Sequence, residues 1–368
     1  MKVLFCVRHN FHDSPGGAQI QILKTRAYLE KKGVVCDLTT TPYGVDYSQY
    51  DVVHLTDLTW VYDLLLYLKE LKSFKGKKVL STIYWPFDDY ASNGAPMLQK
   101  IIFKLFGING FEYAKAVAKF IMKKEPIYLE GLKQSYIQNQ INIVKEVDWL
   151  LPNSGMEMDA LNNRLNLQQK NFSVVNNAID TAAFDKVLKS NTVTRDQNLI
   201  TFVARIDPRK NQLAFLEAMK DTPYKIRFIG QAAPNSKKYY ETLREEAEKR
   251  GNVEFVSHIS QEEVFKNMME AKVNVLTSWI ETPGLVSLEA GYAGCNIVVT
   301  DKGSVRDYFK EYAFYCMPDD IESIKVQTIK AMESAFDENF RILIRNEFDW
   351  SNTAKQTLEA YEDALESK

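Results

Sequence analysis

Two carboxylates, Glu281 and Glu289, stand on either side of a Pro-Gly turn in the stretch SWIETPGLVSLEAGYAGCNIVVTD, residues 278–301. Thr282 and Pro283 have the residue types of a helix N-cap and of a first helical residue, so we expect a helix to begin at Pro283. The first amide groups of a helix are available to bind an anion. The stretch therefore predicts an anion site, with one carboxylate before the helix and the other one turn inside it.

The anion would contact the amides that open this helix, those of Gly284, Leu285 and Val286. Glu289 would lie below the anion and accept hydrogen bonds from ribose hydroxyls, as acidic residues do in other nucleotide-binding folds. Glu281, outside the helix, would face the group attached to the far phosphate. A simpler interpretation stays open, in which both glutamates are solvated and one supports the helix N-terminus.

A second loop offers two positive charges. The apolar run LITFVA leads into Arg205, and Lys210 follows in RIDPRKN at the start of another helix pattern. A guanidinium can hold two phosphate oxygens with its planar fork, and an ammonium adds a compact charge. The pair therefore indicates a diphosphate site, with solvated surface residues beside a helix start as the alternative.

A glycine pair, Gly16 and Gly17, follows the first apolar run and precedes an amphipathic pattern. Glycine lets the backbone approach a ligand, and the helix N-terminus behind it favours anions; a tight helix entry is the alternative. In the same loop His9, His12 and Asp13 have a spacing that would allow a metal ion. A solvated loop is the better explanation of these three residues, and we predict no metal site.

Two more loops follow strand-like runs. Gly230 ends one run, and His258 and Ile259 end another, just before Ser260. Ser260 and Glu263 have the spacing of a capping box, which is a complete structural explanation for that turn. Contacts from Gly230, His258 and Ile259 to a nucleotide are permitted by these patterns.

Short β-rich runs alternate with amphipathic stretches along the whole chain, which predicts parallel sheets covered by helices. Ligands of such sheets bind beyond the carboxyl ends of the strands, where all of these loops lie. The expected strands are 2–8, 34–40, 51–56, 78–83, 147–152, 172–176, 199–204, 224–230, 253–257, 273–278 and 296–300.

The length of 368 residues exceeds the roughly 250–300 residues at which one core stops growing. We therefore expect an α/β chain of two doubly wound, Rossmann-like domains that face each other across a cleft. Segment 181–197 is polar and lacks a strong period, so the crossing is placed just upstream of it and within it. The predicted domains are 1–178 and 179–350, with a C-terminal helix at about 351–368 that packs back on the first domain.

The composition is that of an ordinary globular protein, with 45% apolar and 26% charged residues and a formal net charge of −2. This charge does not favour nucleic acid as a partner. The four cysteines lie far apart and three of them stand in apolar runs, so we expect reduced thiols. No run has the length of a signal-peptide core or of a membrane span, and we expect a cytoplasmic protein.

The ordered set of loops resembles that of the GT-B glycosyltransferases of family four, the glycosyl transferases group 1, over nearly the whole chain. The block SWIETPGLVSLEAGYAGCNIVV is similar to the E-x7-E block of the family, and ARIDPRKN to its R-x4-K clamp. VVNNAIDTAAF is similar to the hinge motif. SGMEMDAL is similar to the segment after the last large strand of the first domain, and Gly17 falls at the glycine-rich loop.

The resemblance implies a retaining transferase that moves a hexose or N-acetylhexosamine from a UDP- or GDP-linked sugar to a glycan or polyprenyl-linked acceptor, in bacterial surface polysaccharide biosynthesis. The second domain would bind the donor and the first the acceptor. Glu289 would hold the ribose, Glu281 would contact the transferred sugar, and Arg205 and Lys210 would neutralise the leaving diphosphate. Since two cations and a helix N-terminus would supply the positive field, we expect no cofactor and no catalytic metal.

The chain departs from the family on the acceptor side. Where many members have a histidine after the fourth strand, STIYWPFDDY offers Tyr84, followed by Asp88 and Asp89 as candidate bases or as solvated residues. Ser304 and Asp307 stand where glycine and glutamate are usual. These departures leave the sugar specificity open.

Residues 97–124 combine isoleucine, phenylalanine and leucine with six lysines and a single acid, Glu112. A basic amphipathic segment of this kind would lie on an anionic membrane surface, at the inner face of the cell membrane, and gather a lipid-linked acceptor. The alternative is a helical pair that packs on its own domain with the lysines in water.

Two other functions remain open. A GT-B sugar-nucleotide epimerase would use the same fold, although the E-x7-E and R-x4-K pair argues against it. A nucleotide-sugar binding module without transferase activity is compatible with the altered Tyr84 loop. A nicotinamide dehydrogenase is disfavoured because no GxGxxG follows a strand.

Overall fold

The computed structural model describes residues 1–13, 16–121, 129–168 and 171–367. The strands are β1 (Lys2–Cys6), β2 (Val35–Thr39), β3 (Val52–Thr56), β4 (Lys77–Ser81), β5 (Trp149–Leu151), β6 (Asp196–Val203), β7 (Lys225–Ile229), β8 (Val253–Val256), β9 (Ala271–Leu276), β10 (Asn296–Thr300) and β11 (Ala313–Cys316). The α-helices are α1 (Gly17–Lys31), α2 (Val61–Glu70), α3 (Met97–Ile121), α4 (Tyr136–Glu146), α5 (Gly155–Leu165), α6 (Thr181–Ser190), α7 (Gln212–Ala218), α8 (Lys237–Arg250), α9 (Gln261–Glu270), α10 (Leu285–Tyr292), α11 (Val305–Phe309), α12 (Ile321–Glu333), α13 (Glu338–Glu347) and α14 (Trp350–Glu366).

The first compact unit comprises residues 1–92, 96–177 and 350–368. Its five strands are parallel in the order β2-β1-β3-β4-β5, and β3 is buried along its whole length, as in sheets covered on both faces. The C-terminal helix α14 packs against α1. His54 of β3 meets Tyr361 of α14, with 2.5 Å between Nδ1 and the hydroxyl oxygen. Burial lowers the pKa of His54 to about 3, so this imidazole is neutral and structural.

The second compact unit comprises residues 93–95 and 178–349. Its six strands are parallel in the order β11-β10-β9-β6-β7-β8. One face of the sheet packs on α6, α9, α10 and α13, where the rings of Phe184 and Phe265 stack at 4.1 Å; the other packs on α7, α8 and α12. The chain leaves β6 toward β7 and β8 and returns on the opposite side of β6 with β9, so the strand order reverses there.

Three elements differ from the sequence predictions. Residues 172–176 form no strand, because only Phe172 makes a bridge, to Leu150 at the sheet edge. Segment 181–197 is not irregular throughout: it contains α6, which buries Thr181, Phe184 and Val187 along one face. β11 has no counterpart among the predicted strands.

Helix α3 exposes apolar side chains to an unusual degree. Its course is broken at Gly107, which adopts φ +61°. The exposed apolar residues are Met97, Leu98, Ile101, Leu105, Phe106, Tyr113, Phe120 and Ile121. Within the described ranges, no helix has the length and apolar character needed to cross a membrane.

Candidate active site

The two loops of the second unit that are predicted to bind an anion follow neighbouring strands. Arg205 and Lys210 follow β6, and Glu281 follows β9, which pairs with β6. The strand order reverses between these two strands, and in open parallel sheets this is where ligands bind. The topology therefore places the two loops side by side at the carboxyl edge of the sheet.

Lys210 and Glu281 form a buried ion pair in which Nζ donates to Oε1. Their side chains are 15% and 11% exposed, so both charges are largely shielded from water. Burial alone would raise the pKa of Glu281, but the positive charges of Lys210 and Arg209 outweigh it and hold that pKa below its ordinary value. Glu281 is thus an ionised carboxylate at neutral pH.

The loop that carries Lys210 is shaped by its own residues. Asp207 caps a short turn at Pro208–Lys210, with Oδ1 accepting the N–H of Arg209 at 3.0 Å. The carbonyl of Arg209 then accepts the N–H of Trp279 at 2.9 Å, which ties this loop to the one that follows β9. The ion pair is therefore held by backbone on both sides.

Gly303, which the sequence reasoning missed, supports the backbone of Glu281. Glu281 N–H donates to the carbonyl of Lys302 at 3.2 Å, and Ser304 N–H donates to the Glu281 carbonyl at 3.1 Å. Gly303 lies between them at φ +102°, and a Cβ there would come within 1.8 Å of that carbonyl oxygen. The only sequence signal for this role was the glycine in DKGSVRDYF. The residue that it approaches, Glu281, lies in a different loop.

Helix α10 begins at Leu285, so the prediction that it begins at Pro283 with Thr282 as N-cap is wrong. Gly284 is the N-cap at φ +80°, a conformation that glycine adopts without strain, and the turn therefore extends past the proline. The amides of Gly284, Leu285 and Val286 donate to no other described residue, whereas the Ser287 amide donates to the Gly284 carbonyl at 2.8 Å.

Glu289 lies within α10 and accepts a hydrogen bond from Gln261 Nε2 at 3.0 Å. The surroundings of Glu289 keep water from most of its carboxyl group, and this desolvation raises its pKa to about 7. The hydrogen bond from Gln261 lowers the same pKa but does not cancel the rise. Gln261 follows the predicted turn of His258 and Ile259, where the Ser260 capping box is present. The structure therefore brings Glu289 next to the loop after β8.

Gly230 lets the end of β7 approach the loop after β6. At φ +146° its Cβ would lie 2.0 Å from the Ala204 carbonyl oxygen, just before Arg205. The Arg205 side chain is exposed, and its guanidinium has no carboxylate partner among the residues that the structure describes. On the neighbouring loop, Gln231 Nε2 lies 3.1 Å from His258 Nδ1. The predicted residues after β6, β7 and β8 thus occupy adjacent loops.

In the first unit, Gly16 is the exposed N-cap of α1 and Gly17 its first residue. His9 pairs with Asp63, with 2.9 Å between Nδ1 and Oδ1, rather than with His12 or Asp13. Within residues 1–13, 16–121, 129–168 and 171–367, no three His, Cys, Asp or Glu side chains form a group suited to a metal ion.

The loop after β4 carries the three predicted acceptor-side residues. Tyr84 is buried, Asp88 accepts a hydrogen bond from Arg164 Nη2 at 2.9 Å, and Asp89 follows it at the start of a short helical segment. The structure places Tyr84 and Asp88 around the same cavity of the first unit.

Glu157 of α5, which the sequence reasoning did not single out, holds this loop in place. Its carboxylate accepts the Tyr84 N–H at 2.9 Å, the Asn153 N–H at 3.1 Å and the Thr82 hydroxyl. Burial raises its pKa to about 7, although the three hydrogen bonds oppose that shift. Glu157 belongs to the segment SGMEMDAL, where it stands three positions after Ser154, the N-cap of α5.

The raised pKa of Glu157 predicts that the protein loses stability as the pH rises from about 4.5 to about 7. The folded chain binds this proton more tightly than the unfolded chain does, so the stabilisation is complete at low pH and is lost as Glu157 ionises, by roughly 3 kcal/mol. Denaturant unfolding at a series of pH values measures this change in the free energy of unfolding. Glu157→Gln should flatten this dependence relative to the wild type, whereas the exposed Glu146→Gln should not.

Sequence comparison finds a family match in the second unit: residues 184–348 match the model of the glycosyl transferases group 1. An uncharacterized glycosyltransferase of Methanocaldococcus jannaschii is 25% identical over 222 residues, 55% of this chain and 56% of that protein. The O-antigen chain mannosyltransferase B of Escherichia coli is 22% identical over 177 residues, 45% of this chain and 46% of that protein. The chain thus matches about half the length of these curated relatives.

Solved structures resemble the whole chain. Sucrose-phosphate synthase from Thermosynechococcus elongatus superposes with a TM-score of 0.72 at 15% identity and covers 98% of both chains. Anabaena HepE, solved in complex with UDP and glucose, superposes with a TM-score of 0.67 at 14% identity, over 98% of this chain and 99% of that one. The chain has the GT-B fold, and this fold together with the match of residues 184–348 to the glycosyl transferases group 1 supports a glycosyltransferase.

Proposed function

We propose that the protein is a retaining glycosyltransferase that moves a hexose or N-acetylhexosamine from a UDP- or GDP-linked sugar to a glycan or polyprenyl-linked acceptor. The observation that carries the proposal is the shielded Lys210–Glu281 pair beside the start of α10, at the point where the strand order reverses. HepE is solved with UDP and glucose, and a similar mannosyltransferase acts on an O-antigen chain. These relatives favour a nucleotide-sugar donor and a role in surface polysaccharide biosynthesis.

In this proposal the second unit binds the donor. Lys210, Arg205 and the amides at the start of α10 face the diphosphate, because an ammonium, a guanidinium and a helix N-terminus all stabilise negative charge. These amides are those of Gly284, Leu285 and Val286. Glu289 accepts hydrogen bonds from the ribose hydroxyls. Glu281 contacts the sugar and, through its ion pair, fixes the position of the Lys210 ammonium.

The reaction breaks the bond between the anomeric carbon and the diphosphate oxygen. The acceptor hydroxyl oxygen forms the new bond on the same face of the sugar, and an oxygen of the departing phosphate takes the hydroxyl proton. The contribution of the protein is electrostatic: Lys210 and Arg205 stabilise the charge that develops on the leaving group. We predict that this step needs no divalent metal.

Release of free nucleoside diphosphate from a panel of nucleotide sugars tests the function. Release that requires an acceptor, and that persists in EDTA, is the expected result. An epimerase would interconvert the sugar nucleotide without any acceptor. A binding module would show a thermal shift with the nucleotide and release no product.

The pKa of Glu289 predicts a pH-dependent interaction with the donor. Ribose hydroxyls donate to an ionised carboxylate, so kcat/KM for the nucleotide sugar should fall as the pH drops through about 7 and Glu289 takes up a proton. Glu289→Gln should remove this dependence. Glu262→Gln, which changes an exposed carboxylate at the start of α9, should retain it.

The same proposal places the protein at the inner face of the cell membrane as a peripheral protein, through segment 97–124. Apolar side chains are exposed along α3, and Lys100 and Lys104 belong to the same helix; residues 122–124 lie outside the described residues. An anionic surface would attract the lysines while the apolar side chains enter the interface.

Vesicle sedimentation measures this contact. The protein should bind vesicles that contain anionic lipid, and changing Lys100 and Lys104 together to glutamine should weaken binding by about 2 kcal/mol, since each surface lysine contributes about 1 kcal/mol. The same double change at Lys237 and Lys238 of α8 is the control. Equal binding to neutral and anionic vesicles would count against membrane attraction by these lysines.

A further inference from the structure

The carboxyl ends of β3 and β4 open into a cavity of about 210 Å³ that lies wholly within the first unit. A cavity of about 150 Å³ can hold one benzene-sized ring, so this volume accommodates a single substituted ring. Six aromatic side chains contribute to its wall: Trp60, Tyr62, Tyr84, Trp85, Phe87 and Tyr136.

The aromatic wall is both accessible and held in position. Trp60, Trp85 and Phe87 are only partly buried, and the indole N–H of Trp85 makes no hydrogen bond with the described residues. The Arg8 guanidinium lies 4.7 Å from the centre of the Trp60 ring, and the Tyr136 hydroxyl donates to a backbone carbonyl at 3.2 Å. Accessible aromatic faces at a concave site are typical of ligand binding.

Both cations of the cavity wall are already paired. Arg164 donates to Asp88 at 2.9 Å, and Lys115 donates to both oxygens of Glu112 at 2.8 and 2.9 Å. A phosphate would have to compete with these carboxylates and approach the further carboxylate of Asp63, so the wall disfavours an anion.

The same carboxylates retain capacity to accept hydrogen bonds. Asp63 binds His9 through Oδ1, and Asp88 binds Arg164 through Oδ1. The second oxygen of each accepts no hydrogen bond from the described residues, and an ionised carboxylate accepts on both oxygens. These oxygens can receive the hydroxyl groups of a neutral, polyhydroxylated ligand.

We propose that this cavity binds one neutral pyranose ring, the terminal sugar of a glycan acceptor, and not a phosphate group. The C–H faces of a pyranose pack on aromatic rings, and its hydroxyls donate to Asp63 and Asp88. The assignment of the sugar as acceptor rests on the proposed transferase function.

Saturation-transfer NMR on the full chain tests the proposal with methyl pyranosides of glucose, galactose, mannose and N-acetylglucosamine, beside the matching sugar 1-phosphates. Inorganic phosphate is measured as a competitor of the bound pyranoside. At least one methyl pyranoside should bind saturably and more tightly than its phosphate counterpart. Trp85→Leu, which keeps an apolar side chain but removes the aromatic face, should weaken this binding roughly tenfold. Trp85→Phe should restore most of it, and Tyr43→Leu, at an exposed tyrosine outside the cavity, should leave it unchanged.

Absence of binding by every methyl pyranoside, tighter binding of the phosphates, or full binding in Trp85→Leu would each overturn the proposal. Binding of UDP and GDP to the same variants separates it from the proposed function, because Trp85→Leu should not alter nucleotide binding by the second unit. If the wild type binds a pyranoside but neither nucleotide nor nucleotide sugar, the transferase function fails while the sugar site stands.

Discussion

Lys210→Ala is expected to lower turnover by about 10²- to 10³-fold, the effect of removing one preorganised charge contact worth about 2.7–4 kcal/mol. Lys210 is the shielded cation of the proposed donor site, and its field acts most strongly on a leaving group that is likewise removed from water. Glu281→Ala should have a similar effect, because it removes the contact to the sugar and the partner that fixes the ammonium. The measurement is acceptor-dependent release of nucleoside diphosphate at saturating substrate.

A double variant separates the chemical role of this pair from its structural role. Lys210→Ala alone leaves the Glu281 carboxylate buried without the ammonium that pairs with it, which should destabilise the fold by roughly 3 kcal/mol. Removing both side chains should restore much of that stability but none of the turnover. Lys220→Ala breaks an exposed ion pair with Glu217 and should change neither quantity appreciably. Near-normal turnover in both single variants would defeat the donor-site assignment.

The alternation of strands and helices was sufficient to predict two parallel α/β sheets, which the structure confirms. The sequence placed Lys210 and Glu281 in loops that follow strands of one sheet, where the carboxyl edge of a parallel sheet gathers its loops. The ion pair between them was not predicted, because it depends on the pairing of β6 with β9, which only the structure gives. The roles of both residues in the reaction stay predictions.

Details that depend on contacts between distant residues could not be read from the sequence. Helix-start preferences placed the beginning of α10 at Pro283, because they do not reveal that Gly284 takes a left-handed conformation. Glu157 had the position of an ordinary capping-box residue, and its bonds to the Tyr84 loop depend on how α5 packs against β4. Both cases involve backbone groups whose partners are set only by tertiary packing.

Gly303→Ala is the second substitution for which we expect a large effect. A Cβ at this position would lie 1.8 Å from the Glu281 carbonyl oxygen and within 3.0 Å of the Glu281 nitrogen, and φ is +102°. One of the two loops must therefore move, and we expect the Glu281 backbone to shift relative to Lys210. We expect a loss of roughly 2–5 kcal/mol of stability from backbone strain and overpacking together, and turnover reduced as far as in Glu281→Ala.

Gly251→Ala is the matched control, because Gly251 lies in the same unit at φ +72° and a Cβ there meets nothing within 4 Å. Gly251→Ala should lower the free energy of unfolding by about 1–2 kcal/mol, because alanine is strained in the left-handed conformation, and it should leave turnover intact. Denaturant unfolding and nucleoside diphosphate release, measured on both variants below their unfolding transitions, distinguish the two effects. Equal turnover in Gly303→Ala and Gly251→Ala would mean that the position of the Glu281 backbone does not govern the reaction. Turnover lost only in Gly303→Ala, with folded protein present, would locate the effect in the contact between this loop and Glu281.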